Sequence, residues 1–334
     1  MTIQEFNTTL AYSKDQLNSY LKRISFFKGE ELKVEDIPVS YETLEKIANA
    51  HASSIPYGNL AFAYYKRLQK AEGNYPCNVD DPLTTQGVST DLQDIFKKLV
   101  LEERDGYCFE NNLLCANMLM ALGFTTFVTG SRVVQPHIWD QFGTIEIQAL
   151  THACIVVELD SKEYLLDVGL RLGGTSKPIL MEEGLIQQTN TLVEHRFIRA
   201  PYPEKGIQST NPKYFPWVLE AKCKQLPNKP FHPRNDWCPL TYTNPIPIYL
   251  KDIEMINTGI VLAPNGLFRT CVTMTINTEE GYTNLRDQTL RIYTLKDGVK
   301  TIKLNTEEER RAAYKEYFNV KVPEDHEEHL PYIN

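Results

Sequence analysis

The hydrophobic period of this chain changes at Gly123, and that change limits the architectures open to it. Before Gly123 the apolar residues recur at helical spacing; from Phe124 onward they form short β-branched or alternating runs bounded by turn residues. Helices first and strands afterwards predict an α+β chain. At 334 residues it is long enough for two or three packed units, each with its own core.

The helical part carries its own start signals. Ser13-Lys14-Asp15-Gln16 has capping-box form, and Leu17, Tyr20, Leu21 and Ile24 follow on one face. Ser40 precedes Leu44, Ile47, Ala48 and His51, a run that stops at Ser54-Ile55-Pro56 because proline disfavours helix in the residue before it. Asp91 precedes Leu92, Ile95, Phe96 and Leu99, and the polar stretch Gly73 to Gly87 reads as a surface loop.

Strands are expected over Phe124–Val128 with Arg132–Val134, over Ala153–Leu159 and over Tyr164–Val168. Pro201 to Pro247, rich in proline and aromatics, reads as a long irregular connection. Strands resume over Leu267–Ile276, Leu290–Leu295 and Val299–Leu304, the last two joined by Asp297-Gly298 as a hairpin. A last helix opens at Thr306 and runs to about Phe318.

Charge and cysteine usage narrow the function classes. With 35 basic and 43 acidic residues, the net charge of -8 argues against a nucleic-acid partner, and an anionic ligand would need a local basic pocket. The first thirty residues lack a secretory pattern, and no apolar run approaches the ~18 residues of a membrane span, so a cytoplasmic protein without membrane association is expected. The cysteines at 77, 108, 115, 154, 223, 238 and 271 include no C-x-x-C pair and read as thiols in a reducing compartment. Cys and His lack paired ligand spacing, so no metal site is expected, and there is no dinucleotide or phosphate-loop glycine motif.

One cysteine differs from the rest. Cys108, in Arg104-Asp105-Gly106-Tyr107-Cys108-Phe109-Glu110-Asn111-Asn112, stands where a loop becomes a helix that Gly123 closes. A thiol in a first turn meets unpaired backbone N–H groups and the positive end of the helix dipole, the setting of a nucleophilic thiolate. Such a nucleophile needs an imidazole to take its proton and a carboxylate to orient the ring. His152 in Thr151-His152-Ala153 and Asp167 in Leu166-Asp167-Val168-Gly169 supply both, on the two strands of an expected hairpin. Direct opposition of the pair requires a tip near Glu158 to Ser161; a three-residue Asp160-Ser161-Lys162 turn would offset them. The other histidines read as structural or solvated: His51 as a packing residue, His137, His195 and His232 in loops, His326 and His329 in an acidic tail.

These residues resemble the arylamine N-acetyltransferase family. Its R-x-G-x-C-F-E-x-N segment is matched by Arg104, Gly106, Cys108, Phe109, Glu110 and Asn112, and its G-F and later R-V by Gly123-Phe124 and Arg132-Val133. The histidine strand matches at His152, Ile155 and Val157, D-V-G at Asp167-Val168-Gly169, and I-P-F-E-N-L resembles Ile55-Pro56-Tyr57-Gly58-Asn59-Leu60. The resemblance implies a helical bundle over 1–123, a β-barrel over 124–235 and an α/β lid over 236–334, around a cysteine-protease-like core. It also implies ping-pong transfer of an acyl group from acyl-CoA, a co-substrate and not a resident cofactor, through Cys108 to a small aromatic amine or hydrazine. Cys108 would be the nucleophile, His152 the base and acid, and Asp167 the orienting carboxylate.

Two departures stand out. The family's D-V-G-F-G-G becomes Asp167-Val168-Gly169-Leu170-Arg171-Leu172-Gly173-Gly174, which makes Arg171, Gly173 and Gly174 candidates for contact with acyl-CoA, Arg171 for a CoA phosphate or a malonyl carboxylate. Gly58 stands in place of the family's Glu, so that carboxylate is either missing or supplied from elsewhere. Tyr57, Phe124 and the aromatics at Tyr214-Phe215-Pro216-Trp217 are candidate walls for an aromatic acceptor, with core packing as the alternative. A thiol hydrolase or transglutaminase-like enzyme, an amide-forming macrocycle synthase and an inactive binding protein of the same fold remain alternatives.

Overall fold

The computed structural model describes residues 10–28, 33–65, 88–135, 146–170, 174–203, 210–228, 237–263, 267–278 and 280–328. Helix α1 (Lys14–Arg23) opens on the expected capping box: the Ser13 hydroxyl accepts from the Gln16 N–H at 3.2 Å, and the Ser13 N–H donates to Gln16 Oε1 at 3.0 Å. Ser40 caps α2 (Tyr41–Ser54), after which come β1 (Tyr57–Gly58), α3 (Leu60–Ala63) and β2 (Tyr64–Tyr65). Asp91 caps α4 (Leu92–Phe96), which widens into a π-helical turn over Lys97–Leu101. Helix α5 (Cys108–Ala121) is buried on nearly every side because it lies between the other helices and the sheet behind them, and Gly123, at φ +93°, turns the chain out of it.

The sheet behind α5 is antiparallel and curls into a nearly closed barrel. It holds β3 (Thr125–Gln135), β4 (Glu146–Ile147), β5 (His152–Leu159), β6 (Lys162–Leu166), β7 (Ile179–Leu180), β8 (Gln187–Asn190), β9 (Val193–Arg199), β10 (Trp217–Cys223) and β11 (Cys238–Pro247). The order is β7-β6-β5-β3-β11-β10-β9-β8, with β4 paired to β3. A side chain bridges the two ends. The Gln187 amide accepts from the Leu180 N–H and donates to the Leu180 carbonyl, both at 2.9 Å, as a neighbouring strand's backbone would.

The Pro201–Pro247 stretch is therefore not an irregular connection throughout, since it contains β10 and β11. Prolines are tolerated in β11 because they fall beside breaks in the ladder: Pro239 pairs with Glu220 just past a register shift, and Pro247 lies beyond another. The boundary expected at 235 falls before β11, yet β11 pairs with both β3 and β10 inside the middle sheet.

The last part holds α6 (Leu250–Leu262), α7 (Leu267–Thr270), β12 (Thr273–Thr278), β13 (Gly281–Arg286), β14 (Thr289–Thr294), β15 (Gly298–Lys303), α8 (Glu307–Phe318) and β16 (Glu327–Glu328). Asp297-Gly298 turns β14 into β15 as expected, with Gly298 at φ +75°. The five-stranded sheet β1-β12-β13-β14-β15 takes its first strand from the N-terminal segment, and β16 pairs with β2. Buried Arg310 grips Glu328 with two 2.7 Å contacts from Nη2, which fastens the end of the described chain to α8.

Candidate active site

Cys108 is the first residue of α5, and the turn before it is tied from several directions. Gly106 donates to the Pro56 carbonyl at 3.3 Å and accepts from the Gly58 N–H at 2.9 Å, so β1 runs against the turn. Buried Glu110 accepts from the Tyr107 N–H at 3.1 Å and pairs with Lys98 Nζ at 2.7 Å; burial pushes its carboxyl up while Lys98 opposes the shift. The Tyr107 hydroxyl donates to Asn257 of α6, and its ring packs edge-on against Phe62, Phe109 and Phe268. Asn111 donates to the Gly106 carbonyl at 2.6 Å, and its own oxygen meets Nε2 of His51 at 3.1 Å.

His51 is the satisfied packing residue expected. The Tyr20 hydroxyl lies 2.9 Å from Nδ1, and burial lowers the ring pKa to about 4, so it is neutral near pH 7.

The β5–β6 hairpin brings His152 to Asp167 by a route the sequence did not fix. Leu159 pairs with Lys162 across a two-residue turn, Asp160-Ser161, in which both residues have positive φ. With Ile155 opposite Leu166, the same register sets Asp167 across from Cys154 and diagonal to His152 on one face of the hairpin. The His152 Nε2 atom lies 2.6 Å from Asp167 Oδ2, and both side chains are buried.

Asn112 locks this arrangement to α5, the helix that opens on Cys108. Its amide nitrogen donates to Asp167 Oδ1 at 2.9 Å and to the Ala153 carbonyl at 2.7 Å, and its oxygen accepts from the Val168 N–H at 3.1 Å. Asp167 Oδ1 also accepts from the Gly169 N–H at 3.0 Å. Glycine is required at 169 by close approach: a Cβ there would lie 2.7 Å from the Cys108 Cα and 2.9 Å from its carbonyl oxygen. Asn111 and Asn112 had a readable signal, because two consecutive amides disfavour the buried start of a helix unless their bonds are made.

Burial alone would lower the His152 pKa, but the Asp167 carboxylate and the Cys108 thiol beside the ring outweigh it and push it up to about 10. With Nε2 engaged by Asp167, Nδ1 is the ring nitrogen left for the sulfur. The Cys108 thiol also has the Thr151 carbonyl at 3.8 Å.

The other site candidates are not all together. Tyr57 lines a small cavity with Asp167, Leu170 and Thr175, whereas Phe124 is packed in the core shared by α5 and the barrel. Gly174 is buried; Arg171 and Gly173 lie outside the described residues. His195, expected in a loop, stands on β9 with Nδ1 2.6 Å from the Thr189 hydroxyl. A cleft of about 990 Å³ opens over β3, β11 and α6, lined by Arg132, Leu150, Tyr214, Phe215, Tyr242 and Met255 among others. Leu150 connects it to Cys108, since the next residue carries the carbonyl that the Cys108 sulfur meets.

A family model described as N-acetyltransferase matches residues 76–326. The chain belongs to the arylamine N-acetyltransferase family. It is similar to the arylamine N-acetyltransferase of Mycolicibacterium smegmatis, at 28% identity over 75% of each chain. It is also 24% identical to the N-malonyltransferase FDB2 of Gibberella moniliformis, over 98% of this chain and 91% of that one. Among solved structures, the Salmonella typhimurium arylamine N-acetyltransferase superposes with a TM-score of 0.70 at 19% identity, covering 94% of each chain. The Mycobacterium marinum enzyme in complex with CoA superposes at 0.67 and 22% identity, over 92% of this chain and 95% of that one. The arylamine N-acetyltransferase fold, with its cysteine-protease-like core, is thus the fold of this chain. Among the described residues no helix is long and apolar enough to cross a membrane.

Proposed function

We propose that this N-acyltransferase moves an acyl group from acyl-CoA to an aromatic amine or hydrazine through a thioester on Cys108. The observation that carries the reading is the 2.6 Å contact of His152 with Asp167, held to the helix start that bears Cys108 by Asn112. The Cys108 sulfur attacks the thioester carbonyl, and the C–S bond to CoA breaks as His152 gives the departing thiolate a proton. In the second half-reaction the amine attacks the acyl-cysteine, His152 takes the amine proton, the amide leaves and the Cys108 thiolate returns. The Cys108 backbone N–H, free at the first turn of α5, supports the oxyanion in both halves. The cleft over β3 and β11, with its aromatic lining, is the proposed binding site for the organic parts of the substrates.

A malonyl donor is the second reading, favoured by Arg171 in the sequence and by likeness to an N-malonyltransferase. Intact-mass measurement after mixing with acetyl-, propionyl- or malonyl-CoA tests both readings. The expected result is an acyl adduct that is lost in Cys108→Ala and discharged by an added arylamine. No adduct from a folded preparation with a free thiol overturns the acyl-transfer reading. Equal loss of acetyl and malonyl transfer in Arg171→Ala removes the malonyl one.

A further inference from the structure

Gly58 is a glycine without a conformational reason, since it is absent from the positive-φ positions of the chain. Space is what demands it. A Cβ built at 58 would lie 2.4 Å from Asp105 Oδ2 and 3.0 Å from the Asp105 Cβ and Cγ, so a side chain at 58 and the carboxylate of 105 compete for one volume.

Asp105 is buried, three residues before the nucleophile, and its Oδ2 accepts from the Leu60 N–H at 2.9 Å. That bond closes the first turn of α3 from outside. Asn59, the residue placed to cap it, is engaged elsewhere: it donates to the Phe268 and Cys271 carbonyls at 3.2 and 2.8 Å and accepts from the Thr273 N–H at 2.7 Å. The Asp105 bond also adds a rung beyond the contacts of Gly106 with Pro56 and Gly58. The segment so held includes Tyr57, which lines the cavity beside Asp167.

We propose that Asp105 is the positioning residue of the nucleophile's turn, its carboxylate standing where a side chain at 58 would otherwise reach, so that positions 58 and 105 form one exchangeable unit. The geometry permits the exchange. The reach from Cβ to a carboxylate oxygen in aspartate is about 2.4 Å by ordinary bond lengths, which is the separation between the Cβ site of Gly58 and Asp105 Oδ2. An aspartate at 58 facing a glycine at 105 therefore returns an oxygen to the same point. The proposal concerns the reactivity of Cys108 within the acyl-transfer reading, and its test uses no acyl-CoA, so the two can fail separately.

The experiment follows iodoacetamide labelling of Cys108 from pH 5 to 9 in the full-length protein, with thermal unfolding of each variant alongside. In Asp105→Ala and in Gly58→Asp the labelling rate at pH 7 falls about tenfold and its pH profile moves, as expected when a buried N–H loses its acceptor or a carboxylate is displaced. The double variant Gly58→Asp/Asp105→Gly recovers to within about threefold of the original protein, a coupling that independent sites would not give. Asp105→Asn, which keeps an acceptor for the Leu60 N–H, recovers most of the loss seen with alanine. A wild-type rate and profile in Asp105→Ala, or a double variant no faster than the slower single one, overturns the proposal. If the alanine and double variants do not fold, Asp105→Asn decides: a profile like that of the original protein supports positioning through the Leu60 bond, and a displaced one overturns it.

Discussion

At the scale of residues, the hydrogen-bonding capacity of Asn112 is taken up by the parts of the site that must stay in register: Asp167, the strand carrying His152, and the Val168 N–H. The two buried histidines then give stability opposite pH dependences. His152, raised to about 10, contributes stability that is full below its unfolded value near pH ~6.5 and lost as pH rises toward 10. His51, lowered to about 4, contributes nothing against unfolding as a cation, so stability is full above pH ~6.5 and falls as pH drops toward 4. Urea unfolding between pH 4 and 10 is expected to show both limbs, with His152→Ala flattening the alkaline one. An alkaline limb unchanged in that variant would count against the His152–Asp167 pairing. Cys108, His152 and Asp167 were legible because a thiol at a helix start and a carboxylate in an apolar strand are each anomalous in a single stretch of sequence. The partners of Asn112 and Asp105 were not, because Ala153 on β5 and Leu60 on α3 lie 41 and 45 residues away along the chain.

Among the elements, the β5–β6 hairpin decides whether His152 and Asp167 share a face. Its turn does so with Asp160 at φ 50° and Ser161 at φ 59°, both left-handed and neither of them glycine. Ser161→Gly suits this turn and is expected to stabilise the protein by up to ~1 kcal/mol, the relief of left-handed strain less the greater freedom of glycine when unfolded. The urea midpoint measures it; a lower midpoint would refute the turn geometry. Helix starts at Ser13, Ser40 and Thr306 were legible because capping is settled within four residues. The turn type was not, because Asp-Ser carries no glycine signal. Strand β11 was hidden by prolines whose tolerance depends on register shifts set by partner strands, and β10 by the proline-rich stretch around it.

For the whole molecule, the Gln187 side chain bridges β7 and β8 where a backbone ladder would otherwise run. Gln187→Leu removes both bonds to Leu180 and is expected to cost ~1–2 kcal/mol, with faster hydrogen exchange at the Leu180 amide while β3 and β5 keep their protection. Unchanged exchange at Leu180 would show that the seam is held by other contacts. The bond from Tyr107 to Asn257 and those from Asn59 to Phe268, Cys271 and Thr273 carry a different consequence, one of timing during synthesis. As the chain leaves the ribosome, Cys108, His152 and Asp167 all emerge before any of these late partners. The thiol is made early and fixed in place late, once most of the protein has been translated, so a nascent or prematurely ended chain carries Cys108, His152 and Asp167 without the frame that holds them together.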